Sequence, residues 1–159
     1  MTEEKAALRE TMKQRLRGLT AEERQSLSEE ICDRILQMRP WQEAESVVLF
    51  SPLPSEPILT PLKLDCDGRR IPEILIPQNP KNGLQLPDKV DLILVPGLAF
   101  SRNGRHRLGR GGGFFDRLLT ERANVFKIGI CFSFQVLDDV PVEAHDVVMN
   151  AIATDRQIL

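Results

Sequence analysis

Between Arg107 and Arg117 the chain reads Arg107-Leu108-Gly109-Arg110-Gly111-Gly112-Gly113-Phe114-Phe115-Asp116-Arg117, so four of its ten glycines fall within five positions. No element interior is built from glycine at that density, because each one costs about 0.5–1 kcal/mol relative to alanine. The segment is therefore a loop. It follows the apolar run Val90–Phe100, which reads as a buried strand, and precedes Phe114–Arg122, which reads as a helix. Strand, glycine-rich loop and helix in that order can hold phosphate. Residues without Cβ let successive backbone N–H groups converge on an anion, and the helix N-terminus adds unpaired donors.

The side chains agree with the backbone. Four arginines (Arg102, Arg105, Arg107 and Arg110) and no acid lie between Ser101 and Gly113. Charge-assisted hydrogen bonds from such groups contribute about 1.5–3 kcal/mol each. Asp116 closes the loop with a carboxylate, which repels a bare phosphate but suits one that carries Mg2+. A solvated basic loop is the plainer reading of the same residues. The segment is not a Walker loop, since no Gly-Lys-Ser/Thr follows, nor is it a dinucleotide fingerprint on a first strand.

With 21 basic and 23 acidic residues the chain is slightly acidic, so the basic loop is local and general nucleic-acid binding is not expected. No apolar run approaches the roughly 20 residues that span a bilayer, and Met1-Thr2-Glu3-Glu4-Lys5 has no apolar signal core. Three scattered cysteines (Cys32, Cys66, Cys131) suggest no disulfide framework. With only His106 and His145 besides, they show no zinc spacing. A reducing cytoplasm without membrane attachment is the expected setting. A length of 159 residues suits a single domain over 1–159.

Leu8, Met12, Leu16 and Leu19 share one face of a first helix, which Gly18 interrupts. Thr20 and Glu23 form a capping box for a second helix, with Leu27, Ile31, Ile35 and Met38 inward and an end near Pro40. Ser46–Ser51 reads as the first strand. Eight of the eleven prolines lie between Pro52 and Pro87, so only short elements are expected there: helical turns over Thr60–Asp65 and a strand over Glu73–Ile76. Val125–Phe132 and Val147–Thr154 read as further strands. The alternation predicts an α/β fold in three layers, a mostly parallel sheet with helices on both faces and an N-terminal helical pair. Chemistry is then expected at the carboxyl ends of the strands, after Phe50, Phe100 and Phe132.

The run Asp91–Phe100 with Arg107–Arg117 resembles the 5-formyltetrahydrofolate cyclo-ligases, also called 5,10-methenyltetrahydrofolate synthetases. Gln135, Val140–Asp146, Ala153-Thr154-Asp155 and the opening Lys5-Ala6-Ala7-Leu8-Arg9 are similar to the same family. The resemblance implies an α/β enzyme, monomeric or dimeric, acting on small molecules: a reduced folate and ATP. It implies MgATP-dependent conversion of 5-formyltetrahydrofolate to 5,10-methenyltetrahydrofolate through an iminophosphate, with release of ADP and phosphate. Lys5 and Arg9 would reach the ATP phosphates. Arg107, Leu108, Gly109, Arg110, Gly111, Gly112, Gly113, Phe114 and Phe115 would wrap the nucleotide, Arg107 and Arg110 acting in catalysis. Glu56, with Phe114, would bind the folate; Asp116 and Asp146 would hold Mg2+.

Three departures stand out. Thr60–Lys89 is only thirty residues long, with Cys66-Asp67-Gly68-Arg69-Arg70 where the family has much more chain, so one wall of the folate pocket is expected to be reduced. Glu73–Pro77 would be the remnant of the family's Gly-Ile-x-Glu-Pro turn. Phe114-Phe115 replaces a pair containing tyrosine, and Asn150 stands where many members carry aspartate. Two other functions are compatible with these residues: a family member that binds Mg-nucleotide but has lost or changed the folate reaction, and a different phosphosugar or acyl-CoA enzyme on this architecture.

Overall fold

The computed structural model describes residues 2–81, 83–144 and 146–159. Five strands form a fully parallel sheet: β1 (Val47–Phe50), β2 (Glu73–Ile76), β3 (Leu92–Val95), β6 (Phe126–Ile130) and β8 (Ala151–Ala153). Their order is β2-β1-β3-β6-β8. The chain lays down β1, steps out to β2, then returns past β1 to β3 and continues on that side. The order of strand addition reverses between β1 and β3, and their carboxyl ends therefore open a crevice. β1 and β3 are buried at every position, as central parallel strands require. A small second sheet joins β4 (Ala99–Ser101) to β5 (Arg107–Leu108) and β7 (Val136–Leu137).

Helices surround the sheet. The N-terminal pair is α1 (Thr2–Arg17) and α2 (Ala21–Leu36), α2 opening on the Thr20–Glu23 capping box. The short α3 (Arg39–Glu43) leads into β1, and α5 (Phe114–Glu121) follows the glycine loop. Thr60–Asp65, expected as one or two turns, extends into a ten-residue helix α4 (Thr60–Arg69). Asp65, Asp67 and Gly68 are poor helix formers, and tertiary bonds hold them in place. Trp41 Nε1 donates to Asp65 Oδ2 at 2.8 Å, and the Arg69 guanidinium donates to the carbonyls of Trp41, Gln42 and Ala44. Arg70, at φ 58°, ends the helix.

The run Val90–Phe100 is two strands rather than one. Pro96 has no N–H for a ladder, and the chain turns out of the main sheet at Pro96-Gly97 so that Ala99 starts β4. Gln135 Nε2 donates to both carbonyls exposed by that break, Gly97 O at 3.0 Å and Leu98 O at 3.1 Å. The expected strand Val147–Thr154 is also shorter, being β8 alone. Met149 N–H bonds Arg105 O across to the β4–β5 turn, and the Asn150 side chain accepts from Lys127 N at 2.8 Å, so pairing starts at Ala151. Glu73–Ile76 is the strand expected there, pairing with β1 over its full length, so Glu73–Pro77 is not a turn remnant.

Phe100 fills the corner between the two sheets. A Cβ placed at Gly129 would lie 2.5 Å from Phe100 Cε2, and one at Gly97 would lie 2.9 Å from Phe100 Cζ. Gly129→Ala should therefore lower unfolding free energy by about 1–3 kcal/mol through overpacking, measurable by urea titration. The thiols make a second expectation. All three cysteines are buried, and burial pushes the pKa of Cys32 up to about 12, that of Cys66 up to about 11, and that of Cys131 higher than its ordinary value. A disulfide reagent at pH 8 should label none of them until denaturant is added.

Candidate functional site

A cavity of about 460 Å3 lies at the β1/β3 crevice. Its floor is Phe50 and Ser51 from the end of β1 with Pro96 and Gly97 from the end of β3. The glycine loop and Phe114–Asp116 form one wall; Leu53, Glu56 and residues 77–81 form the other. On the side where a reduced wall is expected, the lining comes from the short loop that leaves β2.

Arg107 anchors the glycine loop. Its side chain is only 7% exposed; Nε donates to Pro96 O at 2.6 Å and Nη1 pairs with Asp116 Oδ1 at 3.1 Å. The guanidinium also lies over the Phe115 ring, 5.3 Å from its centroid. Burial pulls its pKa down to about 10, with Asp116 opposing the shift, so it stays charged at neutral pH. A Cβ at Gly109 would lie 2.8 Å from Arg107 Nη1, so a side chain there would have to displace the guanidinium. Gly113, at φ 78°, is the N-cap of α5 and offers no side chain to its first N–H groups. Gly113 and the first turn of α5 line the cavity, where the Phe114 and Phe115 rings meet edge to face at 5.4 Å.

Arg110 reaches across the cavity to the other wall. Its Nη2 donates to Ser55 Oγ at 3.2 Å. Its Nε is buried and makes no hydrogen bond, lying 3.5 Å from Glu56 Oε2. Glu56 is 6% exposed and is fixed from behind. Leu53 N donates to Glu56 Oε1 at 2.8 Å, Arg24 of α2 donates to Glu56 O and Leu53 O, and Ser28 Oγ accepts from Ile58 N. The capped helix α2 thus positions the proline-rich loop that carries Glu56. Arg110 Nε thus has Glu56 as an ion-pair neighbour, but its own N–H, out of solvent, makes no hydrogen bond.

Helix α1 crosses the outside of the loop. Arg9 Nε donates to Gly109 O at 2.9 Å, and its guanidinium lies beside Gly111. Lys5 Nζ is 3.1 Å from Glu143 Oε1 and 3.8 Å from Asp146 Oδ2, while Glu143 N donates to Asp146 Oδ2 at 2.7 Å. The two chain ends therefore meet at the glycine loop. Leu108 is in the core instead, its carbonyl accepting from Leu98 N. His145, in the same C-terminal motif, lies outside the described residues. Among the described residues no three His, Cys, Asp or Glu side chains form a metal cluster. Two residues that the motifs do not single out stand here: Glu143 pairs with Lys5, and Lys81 lines the cavity from a proline-rich stretch with no periodicity to place it.

The sequence model of the 5-formyltetrahydrofolate cyclo-ligase family matches residues 1–80 and 71–155. A 5-formyltetrahydrofolate cyclo-ligase of Escherichia coli K12 is 26% identical over 179 residues, an alignment that takes in 92% of this chain and 98% of the relative. Among solved structures, the 5,10-methenyltetrahydrofolate synthetase of Aquifex aeolicus superposes with a TM-score of 0.78 at 28% identity, covering 97% of this chain and 91% of that one. That of Mycoplasma pneumoniae superposes with a TM-score of 0.80 at 25% identity, covering 95% and 98%. No helix among the described residues is long and apolar enough to cross a membrane.

The two partners of the Arg107–Asp116 pair differ in exposure, and their substitutions should differ accordingly. Arg107→Ala leaves Pro96 O without its donor and should cost about 1.5–3 kcal/mol in urea unfolding. Asp116→Ala removes a mostly exposed carboxylate and should cost less than about 1 kcal/mol. Equal losses would contradict this account of the loop.

Proposed function

Since the chain belongs to the 5-formyltetrahydrofolate cyclo-ligase family, we propose that it converts 5-formyltetrahydrofolate to 5,10-methenyltetrahydrofolate with ATP as co-substrate, releasing ADP and phosphate. One observation carries this reading: a glycine loop with an open helix N-terminus faces a buried carboxylate across one cavity, and Arg110 spans the two. A nucleotide and a second substrate can meet there.

In this proposal the phosphates take the backbone donors from Gly109 to Gly113 and the α5 N-terminus, with Lys5 and Arg9 adding positive charge from α1. The Glu56 carboxylate accepts from the pterin's donor edge, and the Phe114 ring offers a face for stacking. The formyl oxygen attacks the γ-phosphorus, the bond to the bridging oxygen breaks and ADP leaves. N10 then adds to the formyl carbon and loses its proton, and phosphate departs from that carbon. The chain supplies alignment and charge stabilisation, not a nucleophile. Arg110, whose buried Nε lacks a hydrogen bond, neutralises charge on the transferring group. Arg107 assists with donors not committed to Pro96 and Asp116.

The donor set also suits magnesium. Asp116 is exposed at the end of the loop, and Asp146 stands beside Lys5. Among the described residues no three such side chains form a metal cluster, so these two would hold an ion that arrives on phosphates and keeps its waters. When bound, the ion would supply charge neutralisation on the phosphates. No observation favours a phosphosugar or acyl-CoA reaction.

The purified protein with MgATP and 5-formyltetrahydrofolate should develop the absorbance of the methenyl product. Glu56→Ala should keep ATP affinity, measured by calorimetry, while losing at least about 100-fold in kcat/KM for the folate, a change of about 2.7 kcal/mol. Nucleotide binding without product at high enzyme concentration would support instead a member that has lost the folate reaction.

A further inference from the structure

Resting on the reading above, we propose that Lys81 receives the glutamate carboxylates of the reduced folate and so sets the protein's demand for that part of the substrate. The charges lining the cavity carry the argument. Arg107 is matched by Asp116 and Arg110 by Glu56, whereas nothing among the described residues pairs with the Lys81 ammonium. The cavity thus has one cation left over, and it lies on the wall opposite the glycine loop.

That wall is anchored. Gln78 Nε2 donates to Pro52 O at 2.7 Å, which fastens the start of the loop to the segment after β1. Arg122, just beyond α5, donates to Leu86 O at 3.1 Å, Pro87 O at 2.8 Å and Asp88 O at 3.3 Å, fastening the return limb. Pro77, Pro80 and Pro87 restrict the backbone between these ties. The Lys81 backbone is therefore carried at a defined edge of the cavity, while its side chain remains free to meet a ligand.

Burial then gives direction. Glu56 is enclosed and Lys81 is exposed. A folate that presents its pterin to Glu56 and runs along the apolar lining leaves the cavity past Lys81, with its anionic glutamate at the outer end. The nucleotide phosphates, by contrast, have their donors on the facing wall. An ammonium on a flexible stem suits carboxylates that approach from solvent, because its donors rotate to meet either oxygen.

The test compares wild type, Lys81→Met and Lys81→Arg in steady-state cyclisation. The substrates are 5-formyltetrahydrofolate and 5-formyltetrahydropteroate, which lacks the glutamate. Lys81→Met should raise the KM for the folate about ten-fold, the loss of one charge-assisted contact, with kcat within about two-fold and the KM for ATP unchanged. Lys81→Arg should restore most of that affinity, and with the pteroate the three proteins should behave alike. As an exposed position, Lys81 should tolerate both changes without unfolding. An unchanged folate KM, an equal rise with the pteroate, or a rise in the KM for ATP at least as large would each overturn the assignment alone. Absence of turnover by the wild type would overturn the proposed reaction and this inference with it.

Discussion

The site depends on one buried cation. Arg107 joins the end of β3, through Pro96 O, to the first turn of α5, through Asp116, and its guanidinium occupies the space that a side chain at Gly109 would need. The loop between β5 and α5 is rich in glycine and has little side-chain packing of its own. Its shape comes from being draped over this group and held from outside by Arg9. A guanidinium serves here because its rigid fork meets a carbonyl and a carboxylate at once and stays charged despite burial. Lysine offers no such fork.

The same economy of cations runs round the cavity. Arg24 holds the backbone of the Glu56 loop, Arg110 spans to the carboxylate, and Arg122 ties down the far limb of the opposite wall. Each arginine bonds main-chain carbonyls or a carboxylate from an element distant in sequence. A short chain can in this way build two walls from loops: helix α2 and the residue after α5 supply stiffness that the loops lack. The glycine loop and the start of α5 line one wall, while the other presents Glu56 and Lys81.

Much of this was legible in the residues. The capping box at Thr20 starts α2 as expected, because its two hydrogen bonds are local. β1 is legible as a short apolar run, and the glycines do lie between a strand and a helix, although that strand is β5, inside the segment read as loop. Three features were misjudged for one reason. Val90–Phe100 is uniformly apolar, yet Pro96 and the buried Gln135 amide divide it between two sheets. Thr60–Arg69 has weak helix propensity, yet Trp41 and Arg69 lock it. Val147–Met149 is apolar, yet Arg105 draws it off the sheet. In each case a partner far along the chain decides the outcome, and no local window contains it. The likeness to the cyclo-ligases carried the motif residues further than propensity could, but it also misplaced Glu73–Pro77, which the sheet takes as an edge strand.

By itself, the sequence determined the elements whose causes are local: a glycine loop between strand and helix, a capped second helix, an excess of arginine at the loop and a proline-rich stretch too broken for long elements. Tertiary structure decided which of those charges meet. Glu56 and Arg110 are fifty-four positions apart in the chain and Lys5 and Glu143 are 138 apart, but each pair lies within ion-pair distance. The reversal of strand order between β1 and β3 opens a crevice at their carboxyl ends, where loops from both halves of the chain converge.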